Sequence, residues 1–194
     1  MLDFVFYFAL GWAHIISADA LDHQLFIIAL AAVYTFNDLK KVLILVTAFT
    51  IGHSLTLALS VLDVIRFQSN WVEFLIPCTI LITALNNILQ LDKKEGSVKI
   101  NYYLALLFGL IHGMGFANAI RMMLAKDQTL GIGLFSFNIG LEAGQILIVT
   151  SFLITAYFFT NVLRVPRRDW VFFLSSGVFA LAVKMALERF PFLQ

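Results

Sequence analysis

Long apolar runs with almost no charge inside them decide the class of this chain. About seven can be read, at roughly 4–18, 21–36, 42–60, 71–90, 101–124, 130–160 and 170–189, parted by short charged breaks. Continuous apolar residues stand where a membrane strand would alternate. The runs therefore predict helices, and the chain an all-α polytopic transmembrane bundle of about seven spans. Of the 194 residues, 61% are hydrophobic and 13% charged; a soluble domain carries about 25% charged residues. A single integral membrane domain over 1–194 is expected, because the longest polar break, Asp92 to Asn101, is only loop-sized. The net charge of +1 argues against nucleic-acid binding. Cys78 beside Pro77 reads as a packing residue, with no second cysteine to pair with. Met1-Leu2-Asp3-Phe4 lacks a basic segment and a cleavage signal, so the first run is expected to stay as a span.

The first two runs fall short of the roughly 20 residues a crossing helix needs. Between them lies Ser17-Ala18-Asp19-Ala20-Leu21-Asp22-His23. Either the bilayer thins there, or this polar turn is a re-entrant hairpin covered by protein, since irregular backbone at membrane depth must be buried or line a cavity. Basic residues set the orientation. Lys40, Lys41, Lys93, Lys94, Lys99, Arg164, Arg167 and Arg168 fall in alternate loops; Arg66, Arg121 and Lys126 fall in the others. With seven spans this predicts a cytoplasmic N-terminus and an external C-terminus, in a bacterial inner (plasma) membrane.

All four histidines, His14, His23, His53 and His112, sit inside or at the rim of apolar runs. An unpaired ionisable group there costs roughly 2.5–3.5 kcal/mol or more, so a shared metal or proton site is the first expectation. The predicted orientation brings His14, Asp19, Asp22, His23, His53, Glu73, His112, Asn138, Glu142 and Gln145 to similar depths, near the outer half of the bilayer. Imidazole and carboxylate ligands suit Zn, Ni, Fe or Mn, and a carboxylate also orients a ligating histidine from behind. Bland readings stand beside these. Asp19 is a natural helix cap. His53, on one face with Thr50 and Ser54, would serve as well in an interhelical hydrogen bond. Gly109 and Gly113 flank His112 in a small-xxx-small pattern that by itself means close packing. Glu142 shares a face with Asn138 and Gln145 and would suit a structural ion pair. Glu73 falls close to the headgroups. Met114, Met122 and Met123 are soft enough for copper yet common as filler. Lys184 and Glu188 are spaced to pair with each other, and Asn86 and Asn87 suit a helix cap or an exit path. No Gly-x-Ser-x-Gly, His-Glu-x-x-His or phosphate-binding loop occurs, which weakens an enzyme reading.

Several ordered motifs are shared with a known family. Gly11-x-x-His14-Ile, Asp22-His23-x-x-Phe26, Thr47-Ala-Phe-Thr-x-x-His53-Ser-x-Thr-Leu, Val72-Glu73, His112-Gly-x-Gly-Phe-Ala117 and Phe137-Asn-x-Gly-x-Glu142-x-Gly-Gln145 resemble the HupE/UreJ membrane family. Its members are described as hydrogenase- or urease-accessory proteins and nickel permeases. The resemblance implies divalent-metal handling, with His14, Asp22, His23, His112 and Glu142 at motif positions, and metalloenzyme maturation proteins as partners. The spacing from His14 to Asp22-His23 is longer than in the nickel permeases. The second histidine of their Phe-His-Gly-x-x-His motif is absent, with Gly115-Phe116 nearby. A divergent branch is implied, with Ni, Zn, Fe, Cu or Mn as the metal.

The expectation is therefore permeation of a divalent transition metal. Asp19, Asp22 and His23 would capture the ion; His14, His53, His112 and Glu142 would coordinate it deeper; Ser54, Glu73, Asn138 and Gln145 would support them. The alternatives are an intramembrane Zn-dependent hydrolase, with Glu142 or Asp22 as base, and a metal sensor or metalloenzyme assembly factor without flux.

Overall fold

A computed structural model describes residues 2–91, 98–124 and 130–191, and the side chains of 3–91, 101–115 and 131–191. Lys93, Lys94 and Lys126 lie outside the described residues, and the side chains of Lys99, Phe116, Ala117, Arg121, Met122 and Met123 outside the described side chains. Among the described residues seven α-helices follow one another: α1 (Leu2–Ile16), α2 (Leu21–Ala31), α3 (Leu39–Val61), α4 (Ser69–Leu89), α5 (Val98–Leu124), α6 (Leu130–Tyr157) and α7 (Arg167–Glu188). A 3-10 turn (Ala18–Ala20) separates α1 from α2, and a π-helical turn (Phe158–Val162) closes α6. Among the described residues α3, α4, α6 and α7 are each long and apolar enough to cross a membrane. The 27 residues of α5 exceed the length a crossing needs. Phe135, Phe172 and Phe173 are exposed on the outside of this helical membrane bundle, where lipid tails replace water.

Glycines set the closest contacts. Gly109 lies against the carbonyl of Phe49, and Gly113 against that of His53. A Cβ at either position would strike that carbonyl, so α3 and α5 touch backbone to backbone. Contacts 49 to 109 and 53 to 113 rise together, so α3 and α5 run in the same sense. Gly140 meets the carbonyl of Phe8 and Gly144 the side chain of Ile15, which makes α1 and α6 parallel too.

The two short N-terminal helices expected from sequence are present, and they join in series. They meet at a 60° bend. Asn87 near the end of α4 donates to the Ala29 carbonyl near the end of α2 at 2.7 Å. The start of α2 lies by Arg189, just past α7, whose neighbour Phe190 stacks edge-on against Phe74 at the start of α4. Thus α2 is parallel to α4, and α1 to α6. Helices α4 and α6 share one sense because α5 returns between them. The first two helices therefore form one broken path, and both chain ends fall at the same face of the bundle.

The break is sealed by one side chain. Gln24 Nε2 lies 3.1 Å from the Ile15 carbonyl, 3.2 Å from Ile16 and 2.9 Å from Ser17. The Ile15 and Ile16 carbonyls are ones that α1 leaves open at its C-terminus, while that of Ser17 also accepts from the Ala20 N–H. In lipid such groups need an internal partner, and Gln24 supplies it.

Candidate metal centre

The break delivers two histidines to one point. His14 ends α1 and His23 opens α2, and their ring centroids are 4.9 Å apart. His53 comes from the second half of α3, 5.7 Å from His23 and 6.4 Å from His14. One ring nitrogen from each of His14, His23 and His53 lies within 4.8 Å of the other two. His112, from the middle of α5, packs edge-on against His23 at 4.9 Å. His53 and His112 are wholly buried and His23 is 4% exposed. All four histidines singled out in the sequence therefore converge, from four helices.

Hydrogen bonds fix which nitrogens face inward. Asp22 Oδ1 accepts from the His23 backbone N at 2.8 Å and sits 3.0 Å from His23 Nδ1. A carboxylate accepts only, so His23 Nδ1 carries the proton and Nε2 the lone pair. Nε2 is buried without a hydrogen-bond partner. Thr79 on α4 works the same way on His112. Its hydroxyl donates to the Ile76 carbonyl at 2.7 Å, so toward His112 Nε2, 3.3 Å away, it accepts. His112 Nδ1 is left as the lone-pair nitrogen, again buried and unbonded. Neither ring nitrogen of His53 has a hydrogen bond. Buried polar atoms are normally satisfied; three neighbouring imidazoles with open nitrogens have the donor chemistry of a transition-metal site.

The remaining sequence candidates fall around this cluster rather than in it. Asp22 stands behind His23, and its Oδ2 lies 3.4 Å from Arg189 Nη1. Asp19 is exposed in the 3-10 turn, and α2 has no side-chain cap. Glu142 accepts from Thr47 Oγ1 at 2.7 Å. Gln145 is fully buried; its Oε1 accepts from Thr50 Oγ1 at 2.7 Å, and its Nε2 has no hydrogen bond. Asn138 donates to the Leu134 carbonyl at 2.9 Å, Ser54 to the Thr50 carbonyl at 2.6 Å, and Ser69 to Glu73 at 2.7 Å. Lys184 and Glu188 pair at 3.5 Å, as their spacing predicts.

Arg189 and Thr79 were not singled out from sequence. Thr79 looks like any span hydroxyl, and Arg189 closes the last apolar run as an ordinary basic end residue; only their reach across helices marks them. Beneath the histidines lies an aromatic layer. Phe49 packs 5.2 Å from His112 and 5.0 Å from Phe26, which in turn meets Phe108 at 5.4 Å.

The sequence model of the family described as HupE / UreJ protein matches residues 1–189. The chain belongs to the HupE/UreJ family. Membership spans the four histidine-bearing helices and Arg189, so the cluster is set within the family domain. It makes this chain a metal-transporter-like accessory membrane protein, in a family linked to metal handling in hydrogenase and urease maturation. No curated protein and no solved structure matches the chain.

Proposed function

We propose that the protein binds a divalent transition metal at the His14–His23–His53 cluster, with His112 beside it, and passes the ion across the membrane. The observation carrying this reading is the set of three imidazoles whose ligand atoms lie within 4.8 Å of one another at the α1–α2 break. Asp22 and Thr79 hold His23 and His112 in the tautomers that present lone pairs. Glu142, Asn138 and Gln145 act as outer polar groups along the path, and Asp19, exposed at the break, as a first contact for the cation. Nickel, zinc, iron, copper and manganese all fit imidazole donors. Lys40, Lys41, Arg164, Arg167 and Arg168 cluster at the face opposite the chain ends, which by the positive-inside rule is cytoplasmic. Both ends then lie outside. The N-terminus differs in this from the seven-span expectation because α1 and α2 make a single crossing.

The test is metal uptake into proteoliposomes with Ni²⁺, Zn²⁺ and Mn²⁺ offered separately. Uptake of at least one metal is expected, lost in His23→Ala and His53→Ala. Unchanged uptake in both variants would refute the site. A three-histidine set with an open fourth position also fits a catalytic Zn, which supports an intramembrane hydrolase as a second reading. One tightly held Zn per chain, with no flux, would favour it.

A further inference from the structure

A cavity of about 410 Å³ opens among α2, α4, α5 and α7, at the end opposite Arg189. Its wall has two halves. Leu30, Leu104, Phe108 and Val171 give it an apolar side; the exposed Arg167, Arg168 and Asn86 line its mouth, with the carboxamides of Gln90, Asn101 and the buried Asn87 along the wall. Among the described residues two arginines and no carboxylate line it. Phe108 belongs to both this wall and the aromatic layer under the histidines. The two sites are thus separated by packed rings, and the cavity is no continuation of the cation cluster in this conformation.

The mouth is anchored. Arg167 donates through Nη2 to the Val33 carbonyl, which pins one guanidinium at the rim while its other N–H groups remain donors. Asn101 Nδ2 donates to Tyr34 Oη at 2.8 Å, and Asn87 is tied to α2 through Ala29. Asp169, in the same turn of α7, adds one negative charge that does not line the cavity. Ile82 on the rim is 54% exposed, so the cavity borders the surface that lipid tails cover. An anionic phosphate at the two arginines, continuous with an apolar chain along Leu30, Leu104 and Phe108, satisfies both halves at once. A soluble anion would leave the apolar half facing water. Basic pockets between spans on the cytoplasmic side are the usual seat of acidic lipid headgroups.

We propose that this cavity binds the phosphate headgroup and upper acyl chain of an anionic phospholipid. The experiment is native mass spectrometry of the full chain in detergent, titrated with phosphatidylglycerol and with phosphatidylcholine of the same acyl composition. Phosphatidylglycerol is expected to be retained preferentially, by about fivefold for each arginine engaged. Arg168→Gln should lower that preference by about fivefold, and Asn86→Asp, which sets a carboxylate in the wall, by at least as much. Arg168 is exposed and Asn86 lies at a helix end, so both variants are expected to fold; circular dichroism checks this. Equal retention of the two lipids, or a preference unmoved in both folded variants, overturns the proposal. So does displacement of the lipid by millimolar inorganic phosphate, which would assign the site to a soluble anion.

Discussion

Arg189→Gln is the most informative single change at the metal cluster. The arginine places a fixed cation 3.4 Å from Asp22 Oδ2, and Asp22 Oδ1 lies 3.0 Å from His23 Nδ1. An ion on the far ring nitrogen of His23 sits on the order of 10 Å from the guanidinium, where a doubly charged ion is repelled by roughly 3 kcal/mol at an effective dielectric near 20. Arg189 is 31% exposed at its side chain, so solvent screening takes about half of that away, which leaves about 1.4 kcal/mol, or tenfold. The arginine therefore weakens metal binding, as a conducting site requires in order to release its ion. Arg189→Gln should bind the metal about tenfold more tightly, and Arg189→Lys close to wild type. Isothermal titration of the detergent-purified protein gives Kd, and a chelator chase gives the release rate, which should fall in parallel. The metal-free variant should also melt lower, because Asp22 Oδ2 loses its arginine partner, and gain more in Tm on adding metal. A Kd unchanged or weaker in Arg189→Gln, with Arg189→Lys restoring wild-type Tm, would show that the arginine only anchors α7 to α2 and would refute the electrostatic argument.

Thr79→Val removes the acceptor that sets the His112 tautomer; metal affinity should drop about tenfold or more if His112 is a ligand, read by the same titration, with helix content unchanged. Gln24→Leu strips the side-chain donor from the Ile15 and Ile16 carbonyls and should cost about 1–3 kcal/mol of stability, seen as a lower midpoint in detergent unfolding. Gly109→Leu forces a side chain onto the Phe49 carbonyl, and separating α3 from α5 should cost at least about 1–3 kcal/mol and abolish metal binding together. If Gly109→Leu keeps wild-type Kd, the α3–α5 contact does not position His53 and His112.

How much of this was readable from the chain follows from what each residue needs. The helices were readable because a span must be long and apolar whatever it packs against; α3, α4 and α7 begin and end within a few residues of the predicted runs. The four histidines were readable for a related reason: each is costly in lipid unless it has company, and four such costs in one short chain point to one another. The histidine rings do meet, although the path of the first two helices differs from seven separate crossings. That difference was hidden because length alone does not say whether two short helices double back or continue. The deciding contacts, Gly140 on Phe8 and Asn87 on Ala29, join residues far apart in sequence, and glycines and asparagines carry no mark of their partners. Glu142 shows the same limit from the other side. Its cost in the membrane was evident, but the hydroxyl of Thr47 on α3 meets it, and a threonine in a span carries no mark of its partner. Arg189 is the sharpest case. As the final residue of the last apolar run it reads as a basic residue at a helix end, and nothing local ties it to Asp22. Only the antiparallel pairing of α4 with α7, which carries the chain end back to the opening of α2, turns that terminal charge into a neighbour of the histidine cluster, and so into the residue whose removal tests the cluster most directly.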